Sequence, residues 1–329
     1  MNTRTSEGIA QAAKTAVEAA LWAPSIHNTQ PWSFGVSGDE ICLRADPDRK
    51  LRVSDPTGRQ MTISCGAALF NVRVTLQALG YEPEVRRFPD PERPLLLARI
   101  RVRPGHEPGE HIRLLHAEIE RRRTHRSGFT ALPVPDRLVD ALVAEAEPEG
   151  GRLTPITSDA ASRVLAALTG AAQDVQSEDR QFVLELLRWA RPPGSSRRDG
   201  VPPGGYPNDP RRTYPQHFAQ RDYARGHEWG LAPDERLSAS TGLVALLSTG
   251  GDDREDWLRA GEALQRMLLH ASAYGLSVAF HTQALEMPEL RDFICTRLCS
   301  GESPQMIMRL GFVIDEGESV RRAASEVIE

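Results

Sequence analysis

The chain has 329 residues, 40% of them hydrophobic and 26% charged, with a formal net charge of −5 and an isoelectric point near 6.0. That composition supports a large buried core in one large domain or two, and the mild acidity gives no footprint for nucleic acid or for an anionic membrane surface. No apolar run nears the roughly 20 residues of a membrane span, and the opening MNTRTSEG lacks the pattern of a secretory signal, so a cytoplasmic protein without membrane or nucleic-acid partners is expected.

Ser6 is placed to cap a helix running to about Trp22, with Ile9, Ala12, Ala13, Ala16, Val17, Ala20 and Leu21 at helical spacing. A loop, APSIHNTQPW (23–32), leads into two short strands around Ser37-Gly38-Asp39, a hairpin signature. A long helix from about Thr62 ends at Gly80, and residues 84–88 and 95–103 read as strands. The pattern then restarts. A helix over Ile112–Arg123 leads into RRRTHRSGF, a second spans Asp136–Ala146, and the strand RLTPIT follows. Ser158 caps a helix to about Gln176, and another covers 179–190.

Residues 191–235 are rich in Pro, Gly and Arg and predict no long regular element. A stretch of that length is either a disordered surface loop or a functional cover. Tyr206, Tyr214, Phe218, Tyr223 and Trp229 favour an ordered cover, because disordered segments carry few aromatics. Beyond it come the strand LVALLST (243–249), a helix over 252–274, the strand SVAFHTQ, a helix over 287–299, the strand QMIMRLGFV and a basic tail with Arg321 and Arg322.

Residues 65–83 overlay on 260–278: Gly66 meets Gly261, Ala68 meets Ala263, Leu69 meets Leu264, Ala78 meets Ala273 and Gly80 meets Gly275. Alanine-rich helices match by chance, so the repeat draws its weight from what flanks each copy. The four cysteines, Cys42, Cys65, Cys295 and Cys299, form no CxxC and have no histidine pattern beside them. Buried free thiols and no metal site are expected.

Two elements carry chemistry. Arg122-Arg123-Thr124-His125-Arg126 and the tail Arg321-Arg322 are suited to a phosphate, which takes charge-assisted hydrogen bonds from guanidinium groups. The alternative for the first is a solvated helix end, where basic side chains suit the dipole, and taken alone the residues favour that alternative. The loop Ala23-Pro24-Ser25-Ile26-His27-Asn28-Thr29-Gln30-Pro31-Trp32 is the second. Asn28 and Gln30 either pin their own backbone or reach a ligand, and Trp32 is expected in the core. His27, His125 and His281 are expected to be satisfied structural histidines. No Ser-His-Asp spacing, Walker motif or HExxH occurs, and Gly204-Gly205 lacks the strand–helix unit of a dinucleotide fingerprint.

Together these segments resemble the nitroreductase family of flavoproteins. Its members are α+β homodimers that share two FMN sites across the interface. They carry an R-x-[ST]-x-[RK] element, an A-P-S-x-x-N-x-Q-P-W loop, an alanine-rich helix ending in Leu-Gly, a loop with a Glu beside the flavin, and a basic tail. Here the P-S loop lies in the first half. The arginine element, ALEMPEL (284–290) and the tail lie in the second, where EPEGGRLTPIT replaces the loop. The resemblance implies a duplicated nitroreductase-like fold in which one chain mimics the homodimer, with halves at 1–110 and 111–329 and a lid-like insert at 191–235. It is similar in particular to the Acg family, and it implies one FMN per chain.

By that resemblance, Pro24 and Ser25 would pack on the dimethylbenzene side and Asn28 and Gln30 would stand near the flavin. Arg122, Arg123, Thr124, Arg126, Arg321 and Arg322 would hold the phosphate. Backbone N–H groups near Leu285 and Glu286 would face N5. Two functions remain open: NAD(P)H-dependent reduction of nitroaromatics or quinones, with no catalytic side chain assigned, or a non-catalytic FMN holder closed by the insert. The fused pair is expected as a monomeric pseudo-dimer or a homodimer, and its small-molecule substrate is unassigned.

Overall fold

The computed structural model describes residues 6–208, 218–232, 240–314, 317 and 319–329. Helix α1 (Ser6–Ala20) buries Ala12, Ala13, Ala16, Val17 and Ala20. It stops before Trp22, because the N–H groups of Leu21, Trp22 and Ala23 turn back on the carbonyls of Glu18, Ala19 and Ala20. Strands β1 (Trp32–Ser37) and β2 (Glu40–Ala45) form the expected hairpin, and Trp32 is fully buried. Helix α2 (Arg59–Ala78) starts earlier than Thr62. The Asp55 carboxylate accepts the N–H groups of Gln60 and Met61 at 3.1 and 2.9 Å, so the cap comes from upstream of the residue that precedes the helix. Strands β3 (Tyr81–Arg87) and β4 (Leu96–Pro104) complete an antiparallel sheet of order β1-β2-β4-β3.

The second module opens with α3 (Glu110–Ala117) and α4 (Asp136–Ala146), followed by β5 (Gly151–Pro155), α5 (Asp159–Glu178) and α6 (Arg180–Trp189). Strand β6 (Leu243–Thr249), helix α7 (Arg254–Ala273), strand β7 (Leu276–Phe280), helix α8 (Pro288–Leu298) and strand β8 (Ser303–Phe312) complete it. Side chains of Ser158, Asp179 and Asp253 cap α5, α6 and α7, each cap contributing about 1 kcal/mol. The second sheet runs β5-β6-β8-β7, again antiparallel throughout.

The α+β fold therefore holds two similar sheet–helix modules. Each sheet carries a register shift at the matching place, Leu43/Arg44 and Leu247/Ser248. Each long helix is followed by a left-handed glycine, Gly80 (φ 76°) or Gly275 (φ 77°), that turns the chain into the next strand. The overlaid glycines mark where α2 and α7 cross. A methyl on Gly66 would stand 2.0 Å from the Leu258 carbonyl oxygen, and one on Gly261 would stand 2.0 Å from that of Ile63. Backbone touches backbone there, and only glycine permits it.

Three expectations change. Helix α3 ends at Ala117, and the Arg121 and Arg122 N–H groups close on the Glu118 carbonyl. The arginine element is therefore not a solvated helix end: Thr124 bridges Val278 of β7, and Arg122 is buried. All four cysteines are free, but only Cys65 and Cys299 are buried. Cys42 is half-buried because strand alternation turns it outward between Ile41 and Leu43, and Cys295 sits half-buried on α8. In the 191–235 segment, Tyr206 and Tyr223 join Phe182 and Leu186 of α6 in a separate apolar cluster with Trp229 packed against it. Phe218 is buried, and Tyr214 lies outside the described residues. No described helix is long and apolar enough to cross a membrane.

Candidate functional site

A cavity lies on the seam between the modules. The first module contributes Pro24, Ser25, Ile26 and His27 from its loop and Gln60, Ile63, Ser64 and Ala67 from α2. The second contributes Thr124 and Arg126, Leu264 of α7, Phe280 of β7, Thr282, Gln283 and Met306 of β8. Gln220, Arg221 and Tyr223 of the 191–235 segment complete the wall. A second, smaller space shares Pro24, Ser25, Thr124 and Arg126 with it and adds Asn28, Gly200, Ser319 and Arg321. A mainly apolar lobe thus adjoins a polar, basic one.

The loop that carries Pro24 and Ser25 is held in a strained shape. His27, Asn28 and Gln30 all have left-handed φ, at 47°, 53° and 50°, at a cost on the order of 1 kcal/mol or more each. Hydrogen bonds offset it. Ser25 Oγ accepts the Gln30 N–H at 2.9 Å, and Ser64 Oγ accepts that of Ile26 at 3.2 Å. Asn28 Nδ2 donates to the carbonyls of Gly200 and Val320 at 2.9 and 3.0 Å. Gln30 Nε2 donates to the Arg198 carbonyl at 3.0 Å, and its Oε1 accepts the Arg322 N–H at 2.8 Å. These bonds tie the loop to the insert and the tail. Asn28 also lines the basic lobe.

The predicted arginines separate. Arg126 lines both lobes and donates to the Gly205 carbonyl at 2.9 Å. Arg321 lines the basic lobe, with Nη1 on Asn28 Oδ1 at 3.1 Å and on Ser319 Oγ. Among the described residues no carboxylate forms an ion pair with either. Burial lowers the pKa of Arg321 well below the usual arginine value, and Arg122, Arg123 and Arg126 lower it further. Burial also lowers that of Arg126, opposed by Tyr223. Arg122 donates to the Trp22 carbonyl at 3.0 Å, and the Arg123 guanidinium lies 5.1 Å from the centre of the Trp22 ring. Both stand behind the lobe and add to its positive field. Arg322 is turned away and spends its guanidinium on the Gln30 and Glu326 carbonyls at 3.3 and 2.6 Å.

Leu285 and Glu286 do not line the cavity. The Leu285 carbonyl accepts from Arg59 at 3.3 Å. The Glu286 carboxylate, 1% exposed, accepts from Gln60 Nε2 at 3.0 Å, Thr282 Oγ1 at 3.1 Å, Gln176 Nε2 at 2.9 Å and Arg221 Nη2. Three of those donors line the cavity, so Glu286 organises its wall from behind. Tyr223 Oη meets His27 Nδ1 at 2.8 Å and also bonds Arg126. Burial, then Arg221 and Arg126, hold His27 neutral by lowering its pKa well below 6.5. His125 and His281 are the satisfied structural histidines expected. His125 Nε2 bonds the Gly128 carbonyl at 2.7 Å, and His281 Nε2 accepts from Arg309 at 2.8 Å.

Gln60, Ser64, Arg221 and Ser319 were not legible as site residues. Only the period of α2, which places Gln60, Ser64 and Ala67 on one face, could have indicated the first two.

No family model matches the chain. It is 36% identical over 328 residues to Rv3131 of Mycobacterium tuberculosis H37Rv, provisionally named an NAD(P)H nitroreductase, covering 97% of this chain and 92% of that protein. It is 31% identical over 324 residues to acg of the same strain, under the same provisional name, covering 95% and 94%. Among solved structures, it is similar to a provisional nitroreductase from Anabaena variabilis (14% identity, TM-score 0.44, covering 93% of this chain and 73% of that one). The FMN-dependent nitroreductase NfnB from Mycobacterium smegmatis, in complex with NADPH, gives 14% identity and a TM-score of 0.41, covering 66% and 97%.

Proposed function

The chain belongs to the nitroreductase-like flavoprotein family, and from that premise we propose that it is an internally duplicated, Acg-type member that holds one FMN in the cavity on its seam. One observation carries the reading: Arg126 and Arg321, with no carboxylate paired to them among the described residues, face a lobe that opens into a larger, mainly apolar cavity. A dianionic phosphate suits the first and a flat aromatic ring system the second. Arg126, Arg321, Ser319 and Thr124 would hold the phosphate. Pro24, Ile63, Ala67, Leu264 and Met306 would enclose the ring, with Ser25, Gln60 and Ser64 as its polar neighbours. When bound, FMN supplies two-electron redox chemistry between a nicotinamide donor and an acceptor. The chain binds and orients the group, keeps His27 neutral beside it, and excludes water with Tyr223 and Arg221. The activity that follows is NAD(P)H-dependent reduction of a nitroaromatic or quinone.

A second reading is favoured by the closure of the 191–235 segment: Tyr223 on His27, Arg221 on Glu286, and the Gly200 and Gly205 carbonyls on Asn28 and Arg126. A cover held at four points suits an FMN holder that excludes nicotinamide. Mixing the flavin-loaded protein with NADPH separates the two. Rapid bleaching of the flavin absorbance supports the reductase and rejects the holder; a colour that persists with both NADH and NADPH does the reverse. Protein that neither purifies with FMN nor binds it on titration rejects both.

A further inference from the structure

Away from that cavity, at the junction of α3, α4 and α7, His111, Glu145 and His270 bring one ligand atom each to within 4.8 Å of one another. Glu145 Oε1 lies 3.1 Å from His111 Nε2 and 3.5 Å from His270 Nδ1. Zinc bonds of about 2.0–2.2 Å to imidazole nitrogen and carboxylate oxygen, set tetrahedrally, place neighbouring ligand atoms about 3.3–3.6 Å apart. The two separations fall around that range.

Two further observations point to a ligand. His270 Nδ1 is buried and makes no hydrogen bond, although its side chain, only 10% exposed, is aimed at the carboxylate. Buried polar atoms are rarely left so. Arg266 Nε donates to Glu145 Oε2 at 2.8 Å, and its Nη1 lies 3.5 Å from Glu149 Oε1. Arg266 thereby fixes the carboxylate beside the imidazoles, with His111 Nε2 3.1 Å from Oε1 and 3.2 Å from Oε2, as outer-shell partners orient a ligating carboxylate.

We propose that His111, Glu145 and His270 form a site for one divalent transition-metal ion, with Zn²⁺ as the best match to two imidazoles and one carboxylate. The His–His–Glu donor set disfavours Mg²⁺ and Ca²⁺, which take oxygen ligands. His111, 39% exposed, gives the entry path, and water would fill the remaining position. The ion would clamp α3, which leads into the Arg122–Arg126 segment, and α4 onto α7, the helix that carries Leu264 into the cavity wall. The ligands come from three separate helices, so no spacing in the sequence announces the site.

The test uses the full chain, free of any histidine tag and stripped with a chelator, titrated with Zn²⁺ against a chromogenic chelator and separately with Co²⁺. One ion per chain is expected, with Co²⁺ absorption typical of low coordination. The dissociation constant should rise about 10-fold or more in Glu145→Gln and in His270→Gln, with far-UV circular dichroism unchanged. His111→Ala, at an exposed position, carries the same test if either buried variant fails to fold. Absence of stoichiometric binding overturns the proposal, as does equal affinity in the parent and the folded variants.

Discussion

Replacing Gly66 by alanine tests the crossing on which both modules depend. In an unobstructed helix, Gly→Ala gains about 1 kcal/mol from reduced backbone freedom. Gly170 supplies that control. It lies in α5, and a methyl there meets nothing within 4 Å. At Gly66 the methyl would sit 2.0 Å from the Leu258 carbonyl oxygen and 3.0 Å from the Gly261 Cα, where ordinary contact begins near 3.4 Å. Both near atoms belong to the backbone of α7, so no side chain can move aside and the helices must part by more than an ångström. Overpacking of that kind costs about 1–3 kcal/mol, and more where backbone is the obstacle. Gly66→Ala should therefore lower the urea midpoint while Gly170→Ala raises it. Gly66→Ala/Gly261→Ala should cost less than the sum of the single variants, because helices parted for one methyl partly accommodate the other. An unchanged or higher midpoint for Gly66→Ala would refute the close crossing.

Arg126→Ala and Arg321→Ala should each weaken FMN binding about 10- to 100-fold, the loss of a charge-assisted hydrogen bond of about 1.5–3 kcal/mol; Arg322→Ala should leave affinity within about twofold. Fluorescence titration with FMN checks the set, and equal losses for Arg126 and Arg322 would contradict the placement. Tyr223→Phe removes the hydroxyl 2.8 Å from His27 Nδ1, which should cost about 1–3 kcal/mol and speed any flavin bleaching by NADPH; a bleaching rate equal to the parent's would mean that Tyr223 does not hold the cover shut. Burial lowers the folded pKa values of His27, His125 and His281, that of His125 to about 4. Each contributes stability that is complete above the unfolded value near 6.5 and falls as the pH drops through that window, by up to about 1.4 kcal/mol per pH unit. His125→Gln should flatten the melting-temperature profile between about pH 6.5 and 4, and superimposable profiles would count against it.

Local signals in the sequence marked most of this fold. The Ser158 cap, the Gly38 hairpin and the glycines after α2 and α7 act within a few residues, and the structure keeps them. The start of α2 was missed because Asp55 caps it from beyond a Pro-Thr-Gly turn. The end of α3 was missed because the backbone of Thr124 and His125 bridges to Val278, which overrides a run of good helix formers. At the candidate site, residue type indicated chemistry but not direction. Arg321 and Arg322 are adjacent and alike, yet backbone geometry sends one into the basic lobe and the other to Gln30. Glu286 stood out in its loop, while its four donors come from α2, α5, the insert and its own turn, a gathering that only the tertiary fold reveals.

The overlay of the two modules also gives a physical reason for the single flavin site proposed above. Ala67, whose small side chain leaves room in the cavity wall, falls on Glu262 in α7. Thr282, on the cavity wall at the seventh residue after Gly275, corresponds to Arg87, the seventh after Gly80. The registers of β1 and β5 place Trp32 opposite Ala45 and Gly151 opposite Thr249, which brings Gln30 onto Glu149. At the mirrored position these replacements meet one another. Glu262, fully buried, accepts from Arg73 at 2.7 Å and from Arg87 at 2.8 Å, and Arg73 also reaches Glu149 at 2.5 Å. Burial would depress the Arg73 pKa, but the two carboxylates outweigh it and raise the value above that of free arginine. A ring system placed there would have to break charge pairs already withdrawn from water, at about 3–5 kcal/mol for each charge left unpaired. The first module keeps an alanine and an open wall at this point. The second has filled the equivalent space with two arginines and two glutamates that satisfy each other, while Arg126 and Arg321, which no carboxylate pairs among the described residues, are on the side where the cavity is.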